Sequence, residues 1–283
     1  SLFLWLVVLV LLAVVRFRES PTPERAALVG LLGGAATLVR SEGLVLAVVL
    51  VLPLLVTAPP RRFRVGAGVA VLVTALLLPG AWAVRNLTTF DEPVLVSNNL
   101  GSVLAGANCD RTYDSDLIGF WFISEDCFDG FRQEALEAAD ESVVAGELRD
   151  DGLAYLRDNL GDLPKVATVR VLRTFQMYEP EQQARLATFE GRRLLTERIT
   201  GWLLWATLPL ALAGAVHLGR HRRWVDLWLL ASPVAVVVAV AAATYGNPRF
   251  RIAAEVPLLV LAAIGVHAGV VAIRRRQMPV PEA

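Results

Sequence analysis

The sequence predicts an all-α integral membrane protein of about seven transmembrane helices, with a mainly helical external insertion between the fourth and the fifth. Three observations carry this. Of 283 residues, 55% are hydrophobic, the mean hydropathy is +0.53, and the apolar residues gather in runs that can cross a hydrocarbon core of roughly 30 Å. Arginines cluster in the short polar breaks between those runs. Most carboxylates fall in one stretch, between Asp91 and Glu197, so the formal net charge of zero hides a segregation. An ordinary soluble domain is excluded, and no nucleic-acid partner is expected.

The first segment, residues 1–84, holds apolar runs at Leu2 to Val15, Ala26 to Val39, Gly43 to Ala58 and Val65 to Val84. The second and third are short, which predicts tilted or partly re-entrant helices there. Residues 85–198 form the insertion. Residues 199–273 hold three more runs, Gly201 to Leu218, Val225 to Tyr245 and Ile252 to Ile273, and 274–283 is a tail. Alternating the seven spans puts four arginine clusters on one side: Arg16, Arg18 and Arg25; Arg61, Arg62 and Arg64; Arg220, Arg222 and Arg223; Arg274, Arg275 and Arg276. The positive-inside rule makes that side, and the tail, cytoplasmic, with the insertion outside the plasma membrane. Trp82, Trp202 and Trp205 then fall near outer span ends and Trp224 near an inner one, as interfacial anchors do. The chain opens at Ser1 directly on an apolar run without a signal-peptide pattern, and reads as the interior of a longer protein.

Within the insertion, Glu134 to Leu148 and Leu153 to Leu160 have helical apolar spacing, and Pro164 can start a further helix to about Tyr178. Asn98 to Phe128, rich in Gly, Asn, Asp and Ser, reads as a loop over the membrane mouth. The only cysteines, Cys109 and Cys127, lie in it. In an oxidising exterior they can close a loop of about eighteen residues, stabilising it by roughly 3 kcal/mol; the alternative is two unpaired thiols. The acidic pairs Asp91–Glu92 and Asp150–Asp151 read as solvated surface. His217, His221 and His267 lack metal-site spacing and read as structural; no cofactor is expected, and a divalent metal stays an open requirement. The sequon Asn86-Leu87-Thr88 begins at a membrane boundary, a poor acceptor position.

Polar residues at membrane depth gather on the outer side. Arg40 and Glu42 separate the second and third spans in LVRSEG, Arg85 and Asn86 end the fourth in PGAWAVRN, and Arg249 and Arg251 precede the seventh in GNPRFRIAAEVP. Arginines at helix ends commonly snorkel. Yet the positive-inside rule disfavours them on this face, and three separate turns supply them beside Glu42 and Glu255. Such residues point to an anionic partner, and a lipid-linked phosphate fits.

The series LLGGAATLVRSEGL, LLLPGAWAVRNLTTFDEPVLVSNNLGSVLAGAN, YLRDNLGDLPKVATVRVLRTF and GNPRFRIAAEVPLLVLAAIG resembles the C-terminal half of GT-C glycosyltransferases. These are relatives of the dolichyl-phosphate-mannose protein mannosyltransferases and the bacterial aminoarabinose transferases. Ser41 departs from the family's usual proline. The resemblance covers most of the chain, and it implies transfer of a sugar from a polyprenyl-phosphate carrier to a glycan, lipid or protein acceptor. It also implies that the catalytic carboxylate lies in a first external loop upstream of Ser1, so no catalytic residue is assigned within this chain. In that reaction Arg249 and Arg251, helped by Arg85 or Arg40, would hold the donor phosphate, since a guanidinium fork stays charged and donates two bonds to phosphate oxygens. Glu42 would orient an arginine or the sugar, and Asn86, Asn98, Asn99 and Asn108 would meet sugar or acceptor hydroxyls. Two other readings are a non-catalytic membrane-anchored binding or assembly protein, and a transporter or flippase. The latter should show repeated halves with interrupted helices, which the sequence lacks.

Overall fold

The computed structural model describes residues 1–57, 61–122, 127–128 and 140–277. The start of the helix expected from Glu134 and the end of the tail lie outside the described residues. Among those described, every regular element is helical. Four helices cover the first four apolar runs: α1 (Leu2–Glu19), α2 (Pro23–Val39), α3 (Glu42–Thr57) and α4 (Arg61–Leu87). Five shorter ones follow: α5 (Asn99–Ala107), α6 (Asp110–Tyr113), α7 (Glu141–Asp158), α8 (Leu163–Thr174) and α9 (Pro180–Phe189). Then come α10 (Leu194–Arg220), α11 (Trp224–Ala243), a 3-10 turn (Pro248–Arg251) and α12 (Ile252–Gln277).

Four stretches are long and apolar enough to cross a membrane: Val65–Leu87, Leu194–Arg220, Trp224–Ala243 and Pro248–Arg274. The remaining apolar runs are also helical but fall short of that measure. Arg16, Arg18 and Glu19 end α1, α2 has 17 residues, and α3 has 16. The outer faces agree with a lipid surround. Val65, Val69, Leu72, Val73 and Leu76 of α4 are exposed, as are Leu203 and Leu212 of α10; such stripes are a liability in water and suit hydrocarbon. Inward, α1 shows the complementary face: Phe3, Val7, Val10, Val14 and Phe17, spaced by three and four, are all buried.

Small residues set the closest contacts. Gly30 and Gly34 lie one turn apart on α2, where an added Cβ would stand 2.2 Å from the Val71 carbonyl and 2.6 Å from the Ala75 carbonyl oxygen of α4. Gly214 of α10 and Gly265 of α12 repeat the device, at 1.9 Å from the Leu261 and 2.2 Å from the Leu210 oxygen. The two helix groups join where Trp228 Nε1 of α11 donates to the Val49 carbonyl of α3 at 2.7 Å and where Arg18 pairs with Asp226.

The stretch expected to be a loop contains α5, which differs from the reading of its glycines as turn residues. Gly101 and Gly152 are contact residues: a Cβ on Gly101 would lie 2.0 Å from the Ala145 oxygen of α7, and one on Gly152 2.4 Å from the Leu104 carbonyl carbon of α5. For the same reason α7 runs unbroken through Gly152, where two separate helical stretches were expected. The Cys109–Cys127 disulfide joins residues 18 apart. Its cysteines pack with Ala105, Phe128, Val144 and Leu148 in a small core.

Candidate functional site

The chain between α11 and α12 is ordered by its own side chains. Asn247 Oδ1 accepts from the Arg249 backbone N–H at 3.0 Å, and Pro248, with φ already set, starts the 3-10 turn. Phe250 is buried, its ring 4.8 Å from Tyr245 in an edge contact. Tyr245 in turn stacks on Trp121 at 5.7 Å, and Trp121 Nε1 donates to the Ser102 carbonyl of α5 at 2.9 Å. On the other side the Arg40 guanidinium lies 4.9 Å over Phe250 and 5.6 Å over Phe3, while pairing with Glu42. The turn after α2, the start of α1, the turn before α12 and α5 therefore meet in one aromatic row with a cation inside it.

Arg249 and Arg251 flank Phe250 and differ in state. Arg251 is 5% exposed; its Nε donates to Glu255 at 3.3 Å and its Nη1 to Gln176 Oε1 at 2.8 Å. Gln176 follows the end of α8 at φ 55°, a left-handed position usually given to Gly or Asn. The strained backbone is compensated by a side chain that reaches Arg251 and also the Glu197 carbonyl, at 3.4 Å. Arg249, by contrast, has a side chain 40% exposed. It donates to the Tyr245 hydroxyl and stands 3.9 Å from Glu190 Oε1, too far for a hydrogen bond. That leaves several of its five donors free. Glu190 is engaged elsewhere, by Asn247 Nδ2 at 2.9 Å and Arg192 at 3.6 Å. Arg192 also reaches the buried Glu197 at 3.2 Å.

The chain matches no family model, no curated protein and no solved structure.

The remaining predicted residues spread over two further places. Arg85 is exposed at the end of α4, where Nη1 donates to the buried Asn86 at 3.0 Å and the guanidinium lies over Trp82 and Phe90 at 5.3 and 5.7 Å. Among the described residues no bond or ion pair joins it to Arg40, Arg249 or Arg251. Asn99 is exposed at the start of α5, and the adjacent Asn98 has a buried Oδ1 without a partner. Asn108 is buried and engaged at both ends of its amide: its Oδ1 accepts from the Tyr113 hydroxyl at 2.9 Å and Arg170 at 3.0 Å, and its Nδ2 donates to the Leu104 carbonyl at 2.8 Å. It braces the fold rather than offering groups to a ligand. No cluster of three or more His, Cys, Asp or Glu suited to a metal occurs among the described residues.

Two arginines that the sequence reading passed over hold these parts together. Arg170 and Arg173 of α8 are fully buried. Arg170 donates to the Ala107 carbonyl at 2.6 Å and the Ala242 carbonyl at 3.2 Å, in the last turns of α5 and α11. Burial pushes its pKa down, but guanidinium stays charged, and the negative ends of two helices stand in for a carboxylate. Arg173 donates to the Ile118 and Asp116 carbonyls at 2.6 and 3.0 Å. Burial lowers its pKa as well. Gly246 completes the joint: its N–H donates to the Gly119 carbonyl at 2.8 Å, and a Cβ there would lie 2.6 Å from the Arg170 oxygen. The signal was present in α8, where Val166, Val169, Arg170 and Arg173 fall on one helical stripe. Arginine in an otherwise apolar stripe marks a buried cation.

Chemically, Arg40 with Glu42 and the set Arg192, Arg249, Arg251 with Glu190, Glu197, Glu255 carry equal numbers of positive and negative groups. There is no general excess of positive charge here, and Arg249 is the arginine of the set that keeps donors beyond its bond to Tyr245.

Proposed function

We propose that this chain is the carrier-binding part of a membrane glycosyltransferase, moving a sugar from a polyprenyl-phosphate carrier to an acceptor on the outer face of the plasma membrane. The observation that carries the reading is Arg249: half-exposed at a membrane-helix end, oriented by Asn247 and Tyr245, with donors to spare. The GT-C-like motifs supply the reaction class. In this reading Arg249 meets the phosphate and Arg40, set against Phe250, adds field from the side. Arg251, tied to Glu255 and Gln176, positions the turn, and Arg85 stays apart at the end of α4. Negative charge grows on the departing phosphate, so a fixed guanidinium stabilises the transition state more than the bound donor. The base that takes the acceptor proton is assigned by the resemblance to a loop upstream of Ser1.

Arg249→Ala in the full-length protein should lower turnover of a polyprenyl-phosphate sugar by about 100-fold or more, the scale of removing one oriented charge-stabilising donor, with expression unchanged. Unchanged turnover would sink the clamp. Arg249→Lys should recover only part, because a point charge cannot make the forked contact.

The same reading has all seven apolar helices crossing the membrane, the shorter α1 to α3 sheltered by their neighbours. Cysteines placed by Asp150→Cys and Arg220→Cys should then react with an impermeant maleimide from opposite sides. Labelling of both from one side contradicts the topology.

A further inference from the structure

At the far end of the last helices from Arg249, α10 stops at Arg220 and α11 starts at Trp224. The stop is a left-handed reversal: the Arg222 N–H donates to the Gly219 carbonyl at 3.0 Å and the Arg223 N–H to the Leu218 carbonyl at 2.9 Å. It puts Arg222 at φ 55°, a position that favours glycine. Asp226, the carboxylate at this turn, is shared by Arg223 and by Arg18 of α1. Among the described residues the exposed side chains of Arg220 and Arg222 make no hydrogen bond or ion pair. Two cations therefore keep all their donors here, and a strained backbone carrying an unused side chain points to a partner outside the chain.

Below this turn, α10, α11 and α12 frame an apolar groove of about 530 Å³. Its walls are narrow side chains: Ala211 and Ala215 of α10, and Ala231, Ala235, Ala239 and Ala242 of α11. All lie in stretches long and apolar enough to cross a membrane, so the groove belongs at hydrocarbon depth and opens sideways to lipid. Ala231 to Ala242 spans about 16 Å of helix, and Ala215 lies about 8 Å of helix below Arg220. The exposed Trp224 indole covers that end, 3.7 Å from where a Cβ on Gly219 would stand. Tryptophan favours the level of lipid headgroups.

Groove and charge together select the occupant. An apolar partner helix would fill the groove and leave the arginines unused, and a free phosphate would do the reverse. A phospholipid satisfies both, because an acyl chain fits the alanine slot, its glycerol bridges the interval, and its phosphate reaches the turn. Two unpaired arginines favour a headgroup of net negative charge over a zwitterionic one.

We infer that this groove and turn form a binding site for one anionic phospholipid, with an acyl chain along the alanines and the headgroup phosphate on Arg220 and Arg222. The site rests on these helices lying in a bilayer, and not on the Arg249 contact or on any transfer reaction.

The test is native mass spectrometry of the purified chain in detergent micelles, titrated with palmitoyl-oleoyl phosphatidylglycerol, the matching phosphatidylcholine, and dihexanoyl phosphatidylglycerol. One long-chain phosphatidylglycerol should bind about tenfold tighter than the phosphatidylcholine, the scale of two surface arginines on an anionic head. It should exceed the short-chain lipid by about tenfold or more, since six carbons leave most of the groove empty. Arg222→Gly combined with Arg220→Gln should abolish the headgroup preference, and glycine suits φ 55°, so the fold is kept. Ala235→Leu, which narrows the groove, should weaken both long-chain lipids and keep the preference between them. Equal affinity for the two headgroups in the unmodified chain overturns the site, as does a preference that survives the arginine variant. Equal binding of the short-chain lipid, or binding unmoved by Ala235→Leu, overturns the groove and leaves a bare phosphate contact. A lipid-free dimer that excludes phosphatidylglycerol overturns it too, since a second copy then covers the groove.

Discussion

At the scale of single residues, the outcome turns on which arginines are free. Arg40, Arg85, Arg249 and Arg251 look alike in the sequence, each at the end of an apolar run. Packing separates them. Arg251 is consumed by Glu255 and Gln176, Arg40 by Glu42 and two rings, and Arg249 keeps donors. Those partners come from far along the chain, so local reading could find the cations but not their commitments. Arg170 shows the reverse case, since its place in an apolar stripe was legible and its partners were not. Replacing it with methionine leaves the Ala107 and Ala242 carbonyls and Asn108 short of a donor. It should destabilise the chain by roughly 2–4 kcal/mol, the cost of a few buried polar groups left unpaired. Arg170→Lys should fall between, because one ammonium cannot span both helix ends. Thermal unfolding in nanodiscs reads this, and an unchanged Tm for Arg170→Met contradicts the brace.

At the scale of elements, the seven apolar runs each fall in a helix among the described residues, and four stretches are long and apolar enough to cross a membrane. The polar segment was less legible. Glycine signals both a turn and a close contact, and α5 used it for contact with α7 at Gly101. The helix α9 went unread. It is secured to α10 by Glu181, whose carboxylate accepts from Arg198 at 2.9 Å and Arg185 at 3.1 Å. Those hydrogen bonds lower its pKa from 4.5 to about 2. A carboxyl depressed on folding contributes stability above its ordinary pKa and loses it as pH falls through the folded value. The link should be complete above about pH 4.5 and gone by about pH 2. The Tm deficit of Glu181→Gln should shrink over that window, and the labelled Glu181 carboxyl carbon should titrate near the lower end. A midpoint at the ordinary value would mean the contact does not persist in solution.

At the scale of the whole molecule, three parts distant in sequence converge on the turn before α12. The first helices bring Phe3 and Arg40, the polar segment brings Trp121 and Gln176, and the last helices bring Tyr245 to Arg251. The polar turns at Arg40 and at Arg249 to Arg251 are thus neighbours in space, with Arg85 lying apart from the row. What the sequence could not show is that the carboxylates there balance the arginines, so the proposed phosphate contact depends on Arg249 alone. The most direct measurement is the affinity of undecaprenyl phosphate for the chain in nanodiscs, against the uncharged undecaprenol. Specific binding of the phosphate, weakened about tenfold or more in Arg249→Ala as loss of a charge-assisted contact requires, is the predicted result. Equal affinity for phosphate and alcohol, or binding untouched by Arg249→Ala, would contradict it.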